Sequence, residues 1–229
     1  MYKNYKIIAL VPARGGSKGI KLKNLKKINN QTLIEIASKF IDKLNYVDEK
    51  VLSTDHKNII QEGKKNKFTI LRRSKKTSGD FISDFKVIEE ALKGLKRMGK
   101  IFDILIYIQP TSPIRSKKQI DDALKIMLQK NYDSAWSISN VDLKFHPLKS
   151  LKIKNNSLSL FLKEGSKIKS RQELRKTFIR NGIFYIFKIK KLLNRKTIYL
   201  PKCFGSITKH NHVNIDDIHD LKRVRHLMN

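Results

Sequence analysis

The chain has 229 residues, enough to bury a core as one domain, or one domain with a small appendage, and too few for two full domains. Its 50 Lys and Arg against 20 Asp and Glu give a formal charge of +30, which ordinarily points to nucleic acid or a membrane surface. Lysine is spread evenly and no aromatic residues are interleaved with the basic ones as in a nucleic-acid reader, so coding bias on solvated faces competes with that reading. Cys203 is the only cysteine, which excludes an intrachain disulfide and a cysteine-based zinc cluster and fits a cytoplasmic setting. The residues before Ile7 lack the apolar core of a secretory signal, and no stretch approaches the roughly 18 apolar residues of a membrane span.

The first element is the apolar strand Ile7 to Val11, which empties into Pro12-Ala13-Arg14-Gly15-Gly16-Ser17-Lys18-Gly19 and the basic run up to Leu25. Three glycines, an arginine and several lysines straight after a first strand are the ingredients of an anion site, because inward-turned backbone N–H groups form a concave nest. A lysine-rich surface loop is the plainer alternative. The spacing matches neither the P-loop nor the dinucleotide glycine pattern.

Apolar positions three and four apart then predict a helix over 32–44, followed by a strand at Lys50 to Ser53 ending in Thr54-Asp55 and a weaker helix from Asn58 to Lys65. Phe68 to Leu71 reads as a third strand running into the basic loop Arg72 to Asp80, and a helix follows with Ser83 as its N-cap. Ile101 to Ile108 carries the strongest strand signal; only Asp103 interrupts it, so it is expected in the middle of the sheet with both faces buried. Its end, Gln109-Pro110-Thr111-Ser112-Pro113-Ile114-Arg115, has two prolines that forbid a continuing ladder, so a rigid turn holds Gln109, Thr111, Ser112 and Arg115 at the sheet edge.

A helix through Ile120 to Leu128 and a strand at Ser134 to Ser139 continue the alternation. From about Val141 to Lys176 the pattern changes to short hairpins, and the chain then returns through strand Ile183 to Phe187, a short helix near Lys191, strand Thr197 to Leu200, a short strand at Val213 and a closing helix to Leu227. Trp136 and Cys203 read as packing residues. The whole is an α/β chain with a doubly wound, mostly parallel sheet and a small β-rich insertion. Strand ends in such sheets gather ligands, which would bring the opening loop, Asp55, the Arg72 to Asp80 loop and the Gln109 turn to one edge. Taken singly, Asp55, Asp80 and Ser83 read better as helix caps, and it is their collective placement that points to a site.

These motifs, together with His146-Pro147-Leu148-Lys149 and Asn181-Gly182, resemble the acylneuraminate cytidylyltransferases, the CMP-sialic and CMP-nonulosonic acid synthetases, over nearly the whole chain. The resemblance implies a Rossmann-like fold and a reaction in which CTP and a 2-keto-3-deoxy sugar acid give a CMP-sugar and pyrophosphate. It further implies that Arg14 and Lys23 bind the triphosphate with Ala13, Gly15 and Ser17 of the loop. Asn24, Arg72, Asp80 and Ser83 would line the cytidine pocket, and Gln109 would sit near the reacting carbon. Lys149, Arg171, Asn181 and Tyr185 would form the sugar-acid side. Mg²⁺ (or Mn²⁺) would be held by Asp216, with Asn214 a weak second ligand and Asp217 a substitute, and the 141–176 insertion would make a homodimer.

Three departures bear on the substrate. Asn214-Ile215-Asp216 replaces a paired Asp-x-Asp, Arg180 stands one position from the family's usual arginine, and Asp84 and Lys21 replace a small hydroxyl residue and a proline. They favour a legionaminic- or pseudaminic-type acid over ordinary N-acetylneuraminate. The alternatives are an eight-carbon 3-deoxy-octulosonic acid, another sugar nucleotidylyltransferase, and, outside enzymes, a basic nucleic-acid-binding domain.

Overall fold

The computed structural model describes residues 4–209 and 211–228. In chain order the elements of the sheet layer and its helices begin with β1 (Ile7–Pro12), the short strands β2 (Lys27–Ile28) and β3 (Gln31–Thr32), α1 (Leu33–Asp42), β4 (Glu49–Thr54) and α2 (Lys57–Lys65). They continue with β5 (Thr69–Arg72), α3 (Asp84–Arg97), β6 (Ile104–Tyr107), α4 (Lys117–Gln129) and β7 (Ser134–Asn140). After the short strands β8 (Leu151–Lys154) and β9 (Ser157–Leu160) come β10 (Phe178–Lys188), α5 (Ile189–Arg195), β11 (Cys203–Ile207) and α6 (Ile218–Leu227).

The main sheet has seven strands in the order β11-β7-β10-β6-β1-β4-β5. β6 is therefore its middle strand, as its apolar run predicts, and all four of its residues are buried. β1 pairs in parallel with β4 and β6, β4 in parallel with β5, and β10 antiparallel with β6. The chain steps outward from β1 to β4 and β5, then crosses back to β6 on the other side of β1. That reversal opens a crevice beyond the carboxyl ends of β1 and β6, where the opening loop and the Gln109 turn begin.

Local chemistry starts the helices where the sequence predicts. Thr32 caps α1 by accepting from the Glu35 N–H, Ser83 caps α3 through the Lys86 N–H, and Ser116 caps α4 through the Gln119 N–H. Asp217 and Asp220 make a reciprocal capping box at α6, in which Asp217 Oδ1 accepts from the His219 and Asp220 N–H groups. A smaller apolar cluster joins Ile20 of the opening loop, Leu33 and Ile36 of α1, and Val213, Ile215, Leu221 and Val224 of the last segment.

Several boundaries differ from the pattern reading. Ile101 is exposed and the Asp103 carboxylate accepts from the Lys6 N–H, so the middle strand begins only at Ile104. Thr197 to Leu200 forms no strand: Ile198 and Leu200 bury their side chains from a loop, and the next strand is Cys203–Ile207. Cys203 is exposed, not packed. Val213 to Ile215 also lacks a ladder; the Ile215 N–H bonds the Thr111 carbonyl instead. The β2–β3 hairpin, invisible to periodicity, turns on Asn29 and Asn30, both with positive φ, which a two-residue hairpin turn requires.

The chain packs as two compact units, one ending at Ser137 and resuming at Asn181, the other spanning Ile138–Arg180. In the second unit, β8 and β9 pair antiparallel around Asn155-Asn156, with Leu151 opposite Leu160 and Ile153 opposite Leu158. His146 is buried there: its Nδ1 accepts from the Leu148 N–H at 3.2 Å, which leaves the proton on Nε2 to bond the Arg175 carbonyl at 3.0 Å. Among the described residues no helix is long and apolar enough to cross a membrane.

Ile106 lies at the centre of the sheet, paired with Ala9 and Ile186 and fully buried. Ile106→Ala is expected to destabilise the fold by about 2–5 kcal/mol, to be read from urea denaturation midpoints; a shift below about 1 kcal/mol would show that the core does not centre on β6.

Candidate active site

A cavity of about 550 Å³ opens at the reversal point, and its walls all come from the first unit. β1 delivers the opening loop to one wall. The Ala13 N–H bonds the Ser53 carbonyl at 2.9 Å, and the Gly15 N–H donates to the Asp55 carboxylate at 2.8 Å. Asp55 therefore acts on the loop and not as a helix cap. A Cβ on Gly19 would stand 2.3 Å from the Asp216 carbonyl oxygen, a backbone that cannot retreat cheaply, so glycine is required there.

The loop's cations already have partners. Asp80 takes Arg14 Nη1 on one oxygen at 2.6 Å and Lys18 Nζ on the other at 2.7 Å. Hydrogen bonds from Lys18 and Arg14 hold the Asp80 carboxyl below the ordinary carboxylate range. Lys23 Nζ donates to the Ile215 carbonyl at 2.6 Å and to Asp216 at 3.0 Å, which ties the opening loop to the last segment. Asn24 donates to the Arg14 carbonyl at 3.2 Å, while its buried Oδ1 has no partner among the described residues.

The expected nest of backbone donors is only partly available. The Gly15 N–H is taken by Asp55 and the Ser17 N–H by the Gly15 carbonyl, so side chains carry more of the site than the glycine pattern implies. Ser17, Lys18 and Gly19 line the cavity; Ala13 and Gly15 stand behind it.

The Gln109 turn forms the facing wall. Its carbonyl accepts from the Ser112 N–H at 3.1 Å and from Arg115 Nη2 at 2.5 Å. The Arg115 guanidinium lies 5.7 Å from the centre of the Phe40 ring, and burial lowers its pKa. Gly182 has φ +73°, and a Cβ there would stand 2.5 Å from Gln109 Oε1. Glycine is needed at 182 both for the backbone and for the room that the Gln109 side chain occupies.

Asn181 does not face the cavity. It is buried, its oxygen accepts from Ser137 Oγ at 2.5 Å, and its nitrogen donates to Thr208 Oγ1 at 2.8 Å. Its part is to hold β10 where Gly182 meets Gln109. Tyr185 is also buried, stacked 6.4 Å from Tyr107 and edge-on to Trp136 at 5.3 Å. Both residues were expected on the sugar side; both pack inside the sheet layer.

On the third wall, Arg73 replaces Arg72. Successive residues leave a strand on opposite sides, and Arg72 points to solvent while the buried Arg73 lines the cavity. Arg73 donates from Nε to Ser53 Oγ at 3.3 Å and from Nη2 to the Ser53 carbonyl at 3.1 Å; burial lowers its pKa. Ser83 caps α3 and does not line the cavity. Asp84 does line it, and its Oδ1 accepts from Tyr107 OH at 3.0 Å. Burial, and after it the Asp84 charge, push the Tyr107 hydroxyl well above its usual range, so it stays a donor.

Asp216 and Asn214 sit at the rim nearest Gln109 and Thr111. Asn214 Nδ2 donates to Asp216 Oδ2 at 3.3 Å, and Asn214 Oδ1 accepts from Ser112 at 3.4 Å. No group of three or more acidic, histidine or cysteine side chains suited to a metal occurs among the described residues. Lys149 and Arg171 belong to the second unit, where they line a separate cavity of about 350 Å³ with Leu148 and Leu174. Arg73, Lys18 and Tyr107 were missed by motif reading; strand parity at the end of β5 is the signal for Arg73.

Comparison with known proteins fits this geometry. The model of a family described as cytidylyltransferase matches residues 8–227. The pseudaminic acid cytidylyltransferase of Campylobacter jejuni is 27% identical over 223 residues, covering 95% of this chain and 94% of the relative. The CMP-N,N'-diacetyllegionaminic acid synthase of Legionella pneumophila is 27% identical over 198 residues, covering 85% and 83%. Among solved structures, a CMP:2-keto-3-deoxy-manno-octonic acid synthetase complexed with CTP superposes with a TM-score of 0.71 at 16% identity, covering 97% of this chain and 98% of the other. A 4-diphosphocytidyl-2C-methyl-D-erythritol synthase gives 0.70 at 12% identity, covering 99% of each. These two likenesses are of fold.

Gly182→Ala is expected to cost about 1–3 kcal/mol, from the left-handed backbone and from displacing Gln109. Thermal unfolding of the variant beside wild type measures it, and an unchanged midpoint would mean that Gln109 is not held there.

Proposed function

Since the chain belongs to the cytidylyltransferase family and is thereby a nucleotidyltransferase, we propose that its cavity joins the cytidylyl group of CTP to a nonulosonic acid of the pseudaminic or legionaminic type. The observation that carries this is the placement of Arg14, Lys18 and Lys23 on one wall and Gln109 on the facing wall of a single cavity at the sheet's reversal point. The two relatives matched over most of their length, named for pseudaminic and diacetyllegionaminic acids, support the substrate class.

In this reading the anomeric hydroxyl of the sugar acid attacks the α-phosphorus. A new P–O bond forms, the bond to the β-phosphate bridge breaks, pyrophosphate leaves, and the hydroxyl proton is released. Negative charge grows on phosphate oxygens as this happens, and fixed cations stabilise it most where water is excluded. Arg14 and Lys18 pass from Asp80 to the triphosphate, while Lys23 stays anchored to the last segment. Gln109, held by Arg115 and Gly182, orients the sugar near the reacting carbon.

The residues at the rim fit a Mg²⁺ ion, which accepts a small set of hard oxygen ligands and fills the rest with water and phosphate. Asp216 offers a carboxylate and Asn214 a carboxamide oxygen, both on the cavity wall. When bound, the ion neutralises charge on the leaving pyrophosphate. The homodimer is part of the same proposal: Leu151, Ile153 and Leu158 of the β8–β9 hairpin are exposed, and a two-stranded hairpin with an uncovered apolar face gains stability from a partner. The single exposed Cys203 suits a reducing, cytoplasmic compartment.

Pyrophosphate release measured over a panel of nucleoside triphosphates and 2-keto-3-deoxy acids tests the reaction. Release is expected with CTP and a nine-carbon acid; none with any acid, or a preference for another nucleotide, would overturn it. Arg14→Ala is expected to lower kcat/KM by more than about tenfold, through loss of a charge-assisted phosphate contact, and near-normal turnover would remove Arg14 from the site. Asp216→Asn should raise the Mg²⁺ concentration needed for half-maximal rate; an unchanged Mg²⁺ curve would put the ion elsewhere.

A further inference from the structure

Asp84 stands out among the cavity residues because half of its carboxylate has a partner and half does not. It is the first residue of α3, and Oδ1 accepts from the buried Tyr107 hydroxyl at 3.0 Å, which fixes the carboxylate's orientation. Oδ2 makes no hydrogen bond or ion pair among the described residues. The cavity's flexible cations do not neutralise it, since Asp80 holds Arg14 and Lys18 and Asp216 holds Lys23. The cavity lining includes apolar side chains close to Asp84 along the chain, Ile82 and Val87, and its hydrogen-bond partner Tyr107. That oxygen is available to accept from a donor carried by a ligand.

We infer that Asp84 selects the base: its carboxylate accepts from the exocyclic amine of cytosine and repels the carbonyl that uracil carries at the same place. This rests on the reading of the cavity as a CTP site. A pyrimidine is a flat apolar body with a polar edge, which matches the wall. Cytosine's edge presents the amine as donor with two acceptors beside it, whereas uracil presents a carbonyl and an N–H. A carboxylate can only accept. Arg73, on the same cavity, can only donate, and its Nη1 makes no bond among the described residues, so it complements the acceptors of cytosine. An acceptor paired with a donor in this sense reads cytosine and not uracil.

The test is equilibrium binding of CTP and UTP to the full chain by calorimetry, with kcat/KM for each nucleotide measured in parallel, in wild type, Asp84→Asn and Asp84→Ala. Asp84→Asn keeps an oxygen for Tyr107 and turns an NH₂ toward the base, so the CTP:UTP preference should fall by about tenfold or more, with UTP gaining. Asp84→Ala should weaken CTP without strengthening UTP. A merely structural Asp84 would move both nucleotides together and leave the ratio unchanged. A wild type that prefers CTP, with either folded variant keeping that ratio, overturns the inference alone. A wild type that binds neither nucleotide overturns the CTP reading, and the inference with it.

Discussion

Lys23 holds together parts of the chain that are nearly two hundred positions apart. Its ammonium bonds the Ile215 carbonyl and the Asp216 carboxylate, while Gly19, four residues earlier, lets the Asp216 backbone come close to the opening loop. Beneath this contact, Ile20 packs with Val213 and Ile215. Without the tie, the cationic loop and the rim that carries Asn214 and Asp216 would belong to separate surfaces. With it, the opening loop and the segment carrying Asn214 and Asp216 line one cavity as a joined wall.

The facing wall is made rigid by different means. Two prolines remove backbone freedom from the Gln109 turn, Arg115 clamps its carbonyl from within the protein, and Gly182 leaves space for the side chain. Arg73, buried, and Arg115, half-buried, have no carboxylate bonded to them among the described residues; Arg115 donates to backbone carbonyls and Arg73 to the Ser53 carbonyl and hydroxyl. Such cations are expensive to bury, and here they fix the loop geometry on either side of the reversal point.

Much of this was legible in the sequence. The strand-and-helix alternation, the middle position of β6 and the gathering of Arg14, Asp80 and Gln109 at one edge follow from apolar period and from where ligands collect in such sheets, whereas Asp216 was implied only by the family resemblance. What was not legible has physical causes. Leu200 and Ile198 are buried without any ladder, so apolar character alone mimicked a strand, whereas β11 is a short, mostly exposed strand whose Gly and Ser interrupt any apolar run. Asn181 looks like a ligand-binding amide, but nothing in its identity tells whether it faces substrate or, as here, Ser137 and Thr208. Arg72 and Arg73 differ by one step of a strand, and motif alignment is blind to parity.

Under the proposed reaction, the Asp80 bridge has a consequence for kinetics. A carboxylate covalently tethered beside Arg14 and Lys18 is present at a high effective concentration, and every incoming anion must outcompete it. A small monoanion gains little by that exchange, while a triphosphate offers several charges at once, so the cavity resists occupation by the simple anions of its medium. The same carboxylate returns when a bond to phosphate loosens. Departure of an anionic product is therefore assisted from inside the protein, and the loop's cations are not left bare in water between turnovers.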